Sequence, residues 1–271
     1  MRVDRESPRR SRSAADVVKP GIHCVRTQWI RGFIAFQLAR CQGGVGARLR
    51  LMGVLLLVRH GQASLGTADY DRLSDVGRRQ AQVTGARLAR TDLAVDRVVS
   101  GALTRQRDTA EAVLAALGWP ASRLRIDERL DEYDHVGVMA LYTSEVTFET
   151  ATADGERGRA LQSTLEEAIG RWIAGDSGDG ETHDAFIGRV TDAITELAAA
   201  PGGTIAVTSG GVIAAYCAVA LGLPVERWPG LARLIINASI TKIITGHMGT
   251  NMVTFNDHAH LETDRALITY R

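Results

Sequence analysis

Cysteine, aromatic residues and lysine are all scarce in this chain, and the first two scarcities each exclude a class of protein. Cys24, Cys41 and Cys217 are scattered over 271 residues with no CxxC pair. That argues against a disulfide scaffold and against a cysteine zinc site, and it fits a reducing, cytoplasmic setting. Aromatics make up 5% of the residues, too few for a platform that stacks single-stranded nucleic acid. In the first fifty residues the best apolar run, Trp29 to Ala39, is broken by Arg31. It falls far short of the roughly 20 apolar residues that span a bilayer. Lys19 and Lys242 are the two lysines, so 30 of the 32 basic residues are arginine. That bias reads as GC-rich coding, and arginine count alone carries no weight. Neither nucleic acid nor membrane is expected as a partner, and oligomeric state is not legible.

What remains is an ordinary globular composition, 45% hydrophobic and 23% charged with a net charge of +1, long enough to bury a sizeable core. The near-neutral total hides a split. Residues 1–50 carry eleven Lys or Arg against three acids, whereas residues 51–271 carry 21 basic and 28 acidic residues. The first fifty, rich in Arg, Ser and Gly, are therefore read as a basic N-terminal extension, either disordered or not part of the native domain. The domain proper is expected over 51–271, opening where Met52 precedes a strand-like run.

Val54–Val58 is continuously apolar and branched, as a strand buried on both faces requires, and it ends in Arg59-His60-Gly61. Ser74 is positioned to cap a helix running to about Arg90. Arg97–Ser100 is strand-like. The next helix carries Leu103, Ala110, Val113, Leu114 and Leu117 on one face and stops at Gly118 and Pro120. A short strand is predicted at Leu124–Ile126. Helices follow through Leu161, Leu165, Ile169 and Trp172, and, capped by Thr182, through Phe186, Val190, Ile194 and Leu197. Gly203–Thr208 is a second buried strand, leading into a helix through Ile213, Tyr216 and Ala220. Late strands near Ile235–Thr245 and Asn251–Asn256 are spaced to form a hairpin. Strands alternating with helices predict an α/β fold, a three-layer α/β/α sandwich around a largely parallel central sheet. Ligand sites in such sheets lie beyond the carboxyl ends of the strands. Arg59-His60-Gly61 and Ser209-Gly210-Gly211 each follow a strand directly, so both are expected to face one crevice.

An isolated Arg-His-Gly means little; the surrounding order carries the signal. Leu57 to Ser64 is followed by Asp69-Tyr70-Asp71-Arg72-Leu73-Ser74, Gly77 and Gln80-Ala81. Ser100 precedes Arg105, and Asp108-Thr109-Ala110 comes after it. Then come Leu130-Asp131-Glu132, Val207 to Ile213, Asn237-Ala238-Ser239-Ile240 and Asn256 to Leu261. This succession resembles the histidine phosphatase superfamily in its phosphoglycerate-mutase-like branch, over essentially all of 51–271. The resemblance implies a sandwich with a helical insertion over the active site, around residues 133–200. It also implies a phosphohistidine intermediate and neither metal nor cofactor.

Carried over by position, the resemblance makes His60 the nucleophile and Glu132 the acid/base carboxylate. Arg59 and Arg105 become phosphate ligands, with Gly61, Ser209 and Gly210 also lining the phosphate site. The chemistry fits these residue types. Imidazole attacks phosphorus only when neutral, which an ordinary pKa of about 6.5 permits. Guanidinium forks match phosphoryl oxygens. A carboxyl can protonate a leaving oxygen and then activate water. Two arginines nearby lower a carboxylate's pKa, whereas desolvation raises it, so Glu132 stands in opposing fields. A solvated acidic turn, with Glu128, Asp131 and Asp134 nearby, is the competing reading of Glu132.

The family usually has a second histidine where this chain has Ser209. Serine is a shorter, neutral donor, and losing a charge-assisted hydrogen bond costs about 1.5–3 kcal/mol. Weakened phosphatase activity is therefore expected before none, with His135 or a water as substitutes, and Ser209 is equally placed to cap the helix after it. If the pocket kept room, histidine restored at 209 is expected to raise turnover. The leading expectation is a phosphatase acting on a small phosphorylated metabolite. A mutase-type isomerase is the first alternative, disfavoured because Asp131-Glu132-Tyr133-Asp134-His135 departs from the mutases' Glu-Arg-x-Tyr-Gly. A non-catalytic phosphate-binding module is the second. His258 and His260 form an HxH pair with no third ligand cluster, and Trp119, Trp172 and Trp228 are read as packing residues.

Overall fold

A computed structural model describes residues 52–64, 71–141 and 156–270. The basic extension expected over 1–50 lies outside them.

Strand β1 (Gly53–Arg59) is the apolar run read from the sequence. Its alternate side chains serve two different cores, as the pleat dictates. Val54, Leu56 and Val58 pack with Leu88, Ala110, Val113 and Leu114 on one face. Leu55 and Leu57 pack with Phe186, Val190, Ile194 and Ile213 on the other. The first face is covered by α1 (Asp75–Ala89) and α2 (Thr104–Ala116). Ser74 caps α1 as expected, its Oγ accepting from Gly77 N–H at 3.0 Å.

Between these elements run β2 (Val95–Ser100) and, after α2, β3 (Leu124–Ile126). Then come α3 (His135–Ala140), α4 (Glu156–Ile173) and α5 (His183–Ala199). Thr182 caps α5, accepting from Ala185 N–H at 3.1 Å. Strand β4 (Gly202–Thr208) leads into α6 (Gly210–Ala220), and a short helix, α7 (Trp228–Ala232), follows. The chain closes through β5 (Ile240–Gly246) and β6 (Gly249–Asp257), the expected hairpin.

The sheet order is β3-β2-β4-β1-β5-β6, parallel across the first four strands and antiparallel at β5 and β6. With helices on both faces this is the three-layer α/β sandwich, and β1 and β4 lie side by side with Arg59 opposite Thr208. The two strand-end motifs therefore emerge together, as the parallel-sheet argument requires.

Strands β2 and β4 begin one or two residues before the expected Arg97 and Gly203, and two larger features differ from the sequence reading. The strand expected from Ile235 begins at Ile240, because Ala238 has φ +60°, in the left-handed region, and its N–H donates to the His60 carbonyl at 3.2 Å. Residues 235–239 thus turn at the end of β1, touching its last residue only where Ser239 O accepts from Arg59 N–H at 3.1 Å. Within the insertion expected over 133–200, α5 is a layer of the sandwich: Phe186, Val190, Ala193 and Ile194 are buried with Leu55 and Leu57. Residues 142–155 of that stretch lie outside the described residues. Among the described residues no helix is long and apolar enough to cross a membrane.

Candidate active site

His60 is the first residue beyond β1, and its main chain is held from both sides. Its N–H donates to Thr208 O at 2.9 Å, and its carbonyl accepts from Ala238 N–H at 3.2 Å and Asn237 Nδ2 at 3.3 Å. The imidazole is 6% exposed. Nδ1 lies 2.7 Å from Gly61 O, and Arg105 Nε donates to Nε2 at 3.2 Å. A guanidinium can only donate, so Nε2 accepts and Nδ1 carries the proton that Gly61 O receives. The lone pair is thereby presented at Nε2. Burial, then the charges of Arg105 and Arg59, holds the pKa well below the ordinary imidazole value, against the opposing pull of the Gly61 carbonyl.

Arg105 stands at the start of α2, 5% exposed, and pairs with Asp71 as well as His60. Arg59, at the last position of β1, donates from Nη1 to Ile235 O and, at 3.0 Å, to Tyr270 O. Its Nε passes close to Gly210, where an added Cβ would sit 3.3 Å away.

Glu132 follows the 3-10 turn Glu128–Leu130. Its Oε2 accepts from Gly211 N–H at 3.0 Å, at the N-terminal end of α6, and Oε1 accepts from Tyr133 N–H at 3.3 Å. The opposing fields on this carboxyl resolve upward. Burial raises its pKa and outweighs, in order, the Gly211 amide, Arg105, Arg59 and the Tyr133 amide. Glu132 is half-buried with its carboxylate taken by two amides, unlike a freely solvated acidic turn, and two of its acidic neighbours serve elsewhere. Asp131 Oδ1 accepts from Ala102 N–H at 2.6 Å, and Asp134 caps α3 by accepting from Val136 and Gly137 N–H. The next residue, Tyr133, is buried in an aromatic cluster, 5.3 Å from Trp172 and 5.5 Å from Trp228 between ring centroids. Trp172 and Trp228 are thus packing residues, and they fix the stem from which Glu132 projects.

The glycines of the two motifs have steric reasons. A Cβ on Gly61 would lie 2.4 Å from Gly77 O, so this glycine lets α1 approach the site, while its N–H donates to Thr109 Oγ1 at 3.1 Å. Gly210 clears Arg59. A Cβ on Gly211 would meet Glu132 Oε1 at 2.2 Å.

Ser209 occupies the cap position of α6, but its side chain makes no capping bond. It is fully buried, and its Oγ accepts from Gln106 Nε2 at 2.9 Å. Gln106 Nε2 also donates to Leu130 O at 3.1 Å. His135, at the start of α3, lies within the field of Arg105, and burial followed by that charge lowers its pKa against Asp134. His258 and His260 do not form a pair on a strand. His258 Nδ1 faces Asn256 O at 2.7 Å, whereas His260, in a 3-10 turn, faces Thr84 Oγ1 at 2.9 Å and Ala238 O at 3.2 Å. Among the described residues no group of three metal-ligating side chains occurs.

His60, Arg59, Arg105, Glu132, Gly210 and Gly211 thus converge at the ends of β1 and β4. Asp71, Gln106, Thr109 and Asn237 were missed as members of this assembly. Asp71, Thr109 and Asn237 stand inside the motif runs, and Gln106 adjoins Arg105, but nothing in their spacing shows which atoms they hold.

Comparison with known proteins shows the family and the fold. The family model of the histidine phosphatase superfamily, branch 1, matches residues 55–258. A glucosyl-3-phosphoglycerate phosphatase of Mycolicibacterium vanbaalenii is 34% identical over 191 residues, covering 65% of this chain and 78% of the relative. A 2,3-bisphosphoglycerate-dependent phosphoglycerate mutase of Azorhizobium caulinodans is 38% identical over 88 residues, 30% of this chain and 43% of the mutase. The native structure of a mycobacterial glucosyl-3-phosphoglycerate phosphatase superposes with a TM-score of 0.52 at 24% identity, covering 76% of this chain and 100% of that one, which bears on the fold. With the family model spanning most of the domain and a curated phosphatase similar over most of its own length, the chain belongs to the histidine phosphatase superfamily, branch 1.

Proposed function

We propose that the protein is a phosphatase that hydrolyses a small phosphomonoester through a phosphohistidine on His60, with no metal or cofactor required. The observation that carries this reading is the pair of contacts on one imidazole: Nδ1 to Gly61 O and Nε2 to Arg105 Nε. The first fixes the proton on Nδ1, and the second, with burial, keeps the ring neutral, its lone pair beside a cation.

In the proposed first step His60 Nε2 attacks phosphorus and the ester P–O bond breaks. Glu132, whose raised pKa favours retention of a proton, protonates the leaving oxygen. In the second step Glu132 takes a proton from water, the resulting hydroxide attacks phosphorus, and the P–N bond breaks. Inorganic phosphate leaves, and neutral His60 and protonated Glu132 are regenerated. Arg59 and Arg105 offset the charge that shifts among the phosphoryl oxygens. Gly61 and Gly210 keep the backbone close around them, and Ser209 is the neutral counterpart of the family's second histidine. The name of the phosphatase relative from Mycolicibacterium vanbaalenii makes a phosphorylated glyceric acid glycoside the first substrate to try.

Ser209 is the specific observation behind a second reading, a weakly active or non-catalytic phosphate-binding module. Incubation with an aryl phosphate, 3-phosphoglycerate and glucosyl-3-phosphoglycerate separates the readings. Phosphate release that disappears in His60→Ala is the expected result. Interconversion of phosphoglycerates means a mutase, and binding without turnover means the module.

A further inference from the structure

The chain that leaves His60 returns to the site through a short antiparallel bridge. Ala63 pairs with Leu73, and Ser64 N–H donates to Arg72 O at 2.7 Å. Ser74 is tied to Gln62 twice, its N–H donating to Gln62 O at 2.9 Å and its hydroxyl to Gln62 Oε1 at 2.9 Å. These ties bring Asp71 against the start of α2. There its two carboxylate oxygens divide their work. Oδ1 accepts from Arg105 Nη1 at 2.6 Å, and Oδ2 accepts from Thr104 N–H at 2.7 Å. The residue at the cap position of α2 is Leu103, which offers no side-chain acceptor, so Asp71 supplies the capping oxygen from 33 residues upstream. Arg105 meanwhile aims Nε at His60 Nε2. Its guanidinium is pinned at one nitrogen, and a second nitrogen faces the reacting atom.

We propose that Asp71 is the positioning residue of this site, holding Arg105 against His60 before substrate arrives and compensating one of the two arginine charges. The inference rests on the phosphohistidine reading above. A long arginine side chain that is not anchored samples many rotamers, and ordering it during the reaction slows the step. Removing the Asp71 charge therefore lowers the rate. It also leaves the pocket more positive, so binding of a phosphate anion does not weaken. Rate and anion affinity move apart, whereas loss of a helix cap alone weakens both along with stability.

The test compares the parent with Asp71→Asn, Asp71→Glu and Arg105→Ala. It measures p-nitrophenyl phosphate turnover, inhibition by inorganic phosphate and melting temperature. Asparagine keeps a capping oxygen for Thr104, so α2 retains its start. Asp71→Asn is expected to lower kcat about ten- to a hundredfold, with phosphate inhibition as tight as in the parent or tighter. Asp71→Glu is expected to recover part of that rate. If Asp71→Asn keeps kcat within about threefold of the parent while Arg105→Ala is inactive, the anchor is refuted and the site reading stands. Parallel loss of rate, phosphate affinity and melting temperature, with no recovery by glutamate, also refutes the anchor. An Arg105→Ala protein with parental activity overturns the site reading itself.

Discussion

Glu132 and Gly211 are fitted to one another: the carboxylate accepts the glycine N–H at 3.0 Å, and a Cβ on that glycine would stand 2.2 Å from Oε1. The proton donor of the proposed mechanism is thus located by the absence of a side chain on the facing helix.

Gly211→Ala is therefore expected to push the carboxylate off its seat at modest cost in stability, because the obstructing atom ends a flexible side chain. The loss falls on activity, at least about tenfold in kcat, as for misplaced acid–base groups. Gly61→Ala is the contrasting case. Its Cβ would meet the Gly77 carbonyl, which is backbone and cannot swing aside. A stability loss of about 1–3 kcal/mol is expected, of the size of other overpacked sites. Melting temperature and kcat measured on both variants check the contrast; equal effects on both readouts would refute it.

The pH profile follows from two opposite displacements. Burial and two arginines hold His60 below 6.5, so the proposed nucleophile is neutral at pH values where free imidazole is half charged. The acid limb of kcat/KM is expected to lie below pH 6.5. Burial raises Glu132 above 4.5, so its proton survives to higher pH and is lost as pH rises through the raised value. That loss forms the alkaline limb. Glu132→Gln is expected to abolish this limb and lower the rate about 10²- to 10⁴-fold. An acid limb centred above 6.5 contradicts the assignment of His60. Stability carries the same sign for this histidine. The unfolded chain takes up its proton first as pH falls below about 6.5, so stability is expected to decline from there downward and less so in His60→Ala.

Ser209→His tests how the pocket tolerates the missing histidine. Ser209 is fully buried and bonded to Gln106, so the space for an imidazole is already filled. The single substitution is expected to destabilise by about 1–3 kcal/mol and to lower turnover, contrary to the gain anticipated for a pocket that had kept room. Pairing it with Gln106→Ala is expected to restore stability and raise turnover above that of the single variant. A single variant with parental stability and faster turnover contradicts this packing.

Much of the fold around this site is legible from the residues alone, because local rules write it, whereas the site roles themselves come from the family resemblance. Val54–Val58 reads as a strand buried on both faces, and His60 comes directly after its last residue. Ser74 and Thr182 announce helix starts that their side chains do cap. The remainder depends on partners far away in the chain. Ala238 adopts a left-handed conformation with no glycine to mark it, because its N–H is taken by the His60 carbonyl. Asp71 caps a helix it does not precede, and the displacement of Glu132 arises from burial that spacing does not convey. Ser209 looks like a helix cap, yet Gln106 claims its oxygen.

The account turns on a covalent bond at His60 Nε2. Rapid acid-free quenching after mixing with a 32P-labelled phosphomonoester, followed by proteolysis and peptide mapping, measures it directly. The expected result is acid-labile, base-stable label on the peptide bearing His60, formed at least as fast as turnover and absent from His60→Ala. Steady hydrolysis with no labelled histidine, or hydrolysis that persists in His60→Ala, would contradict the mechanism.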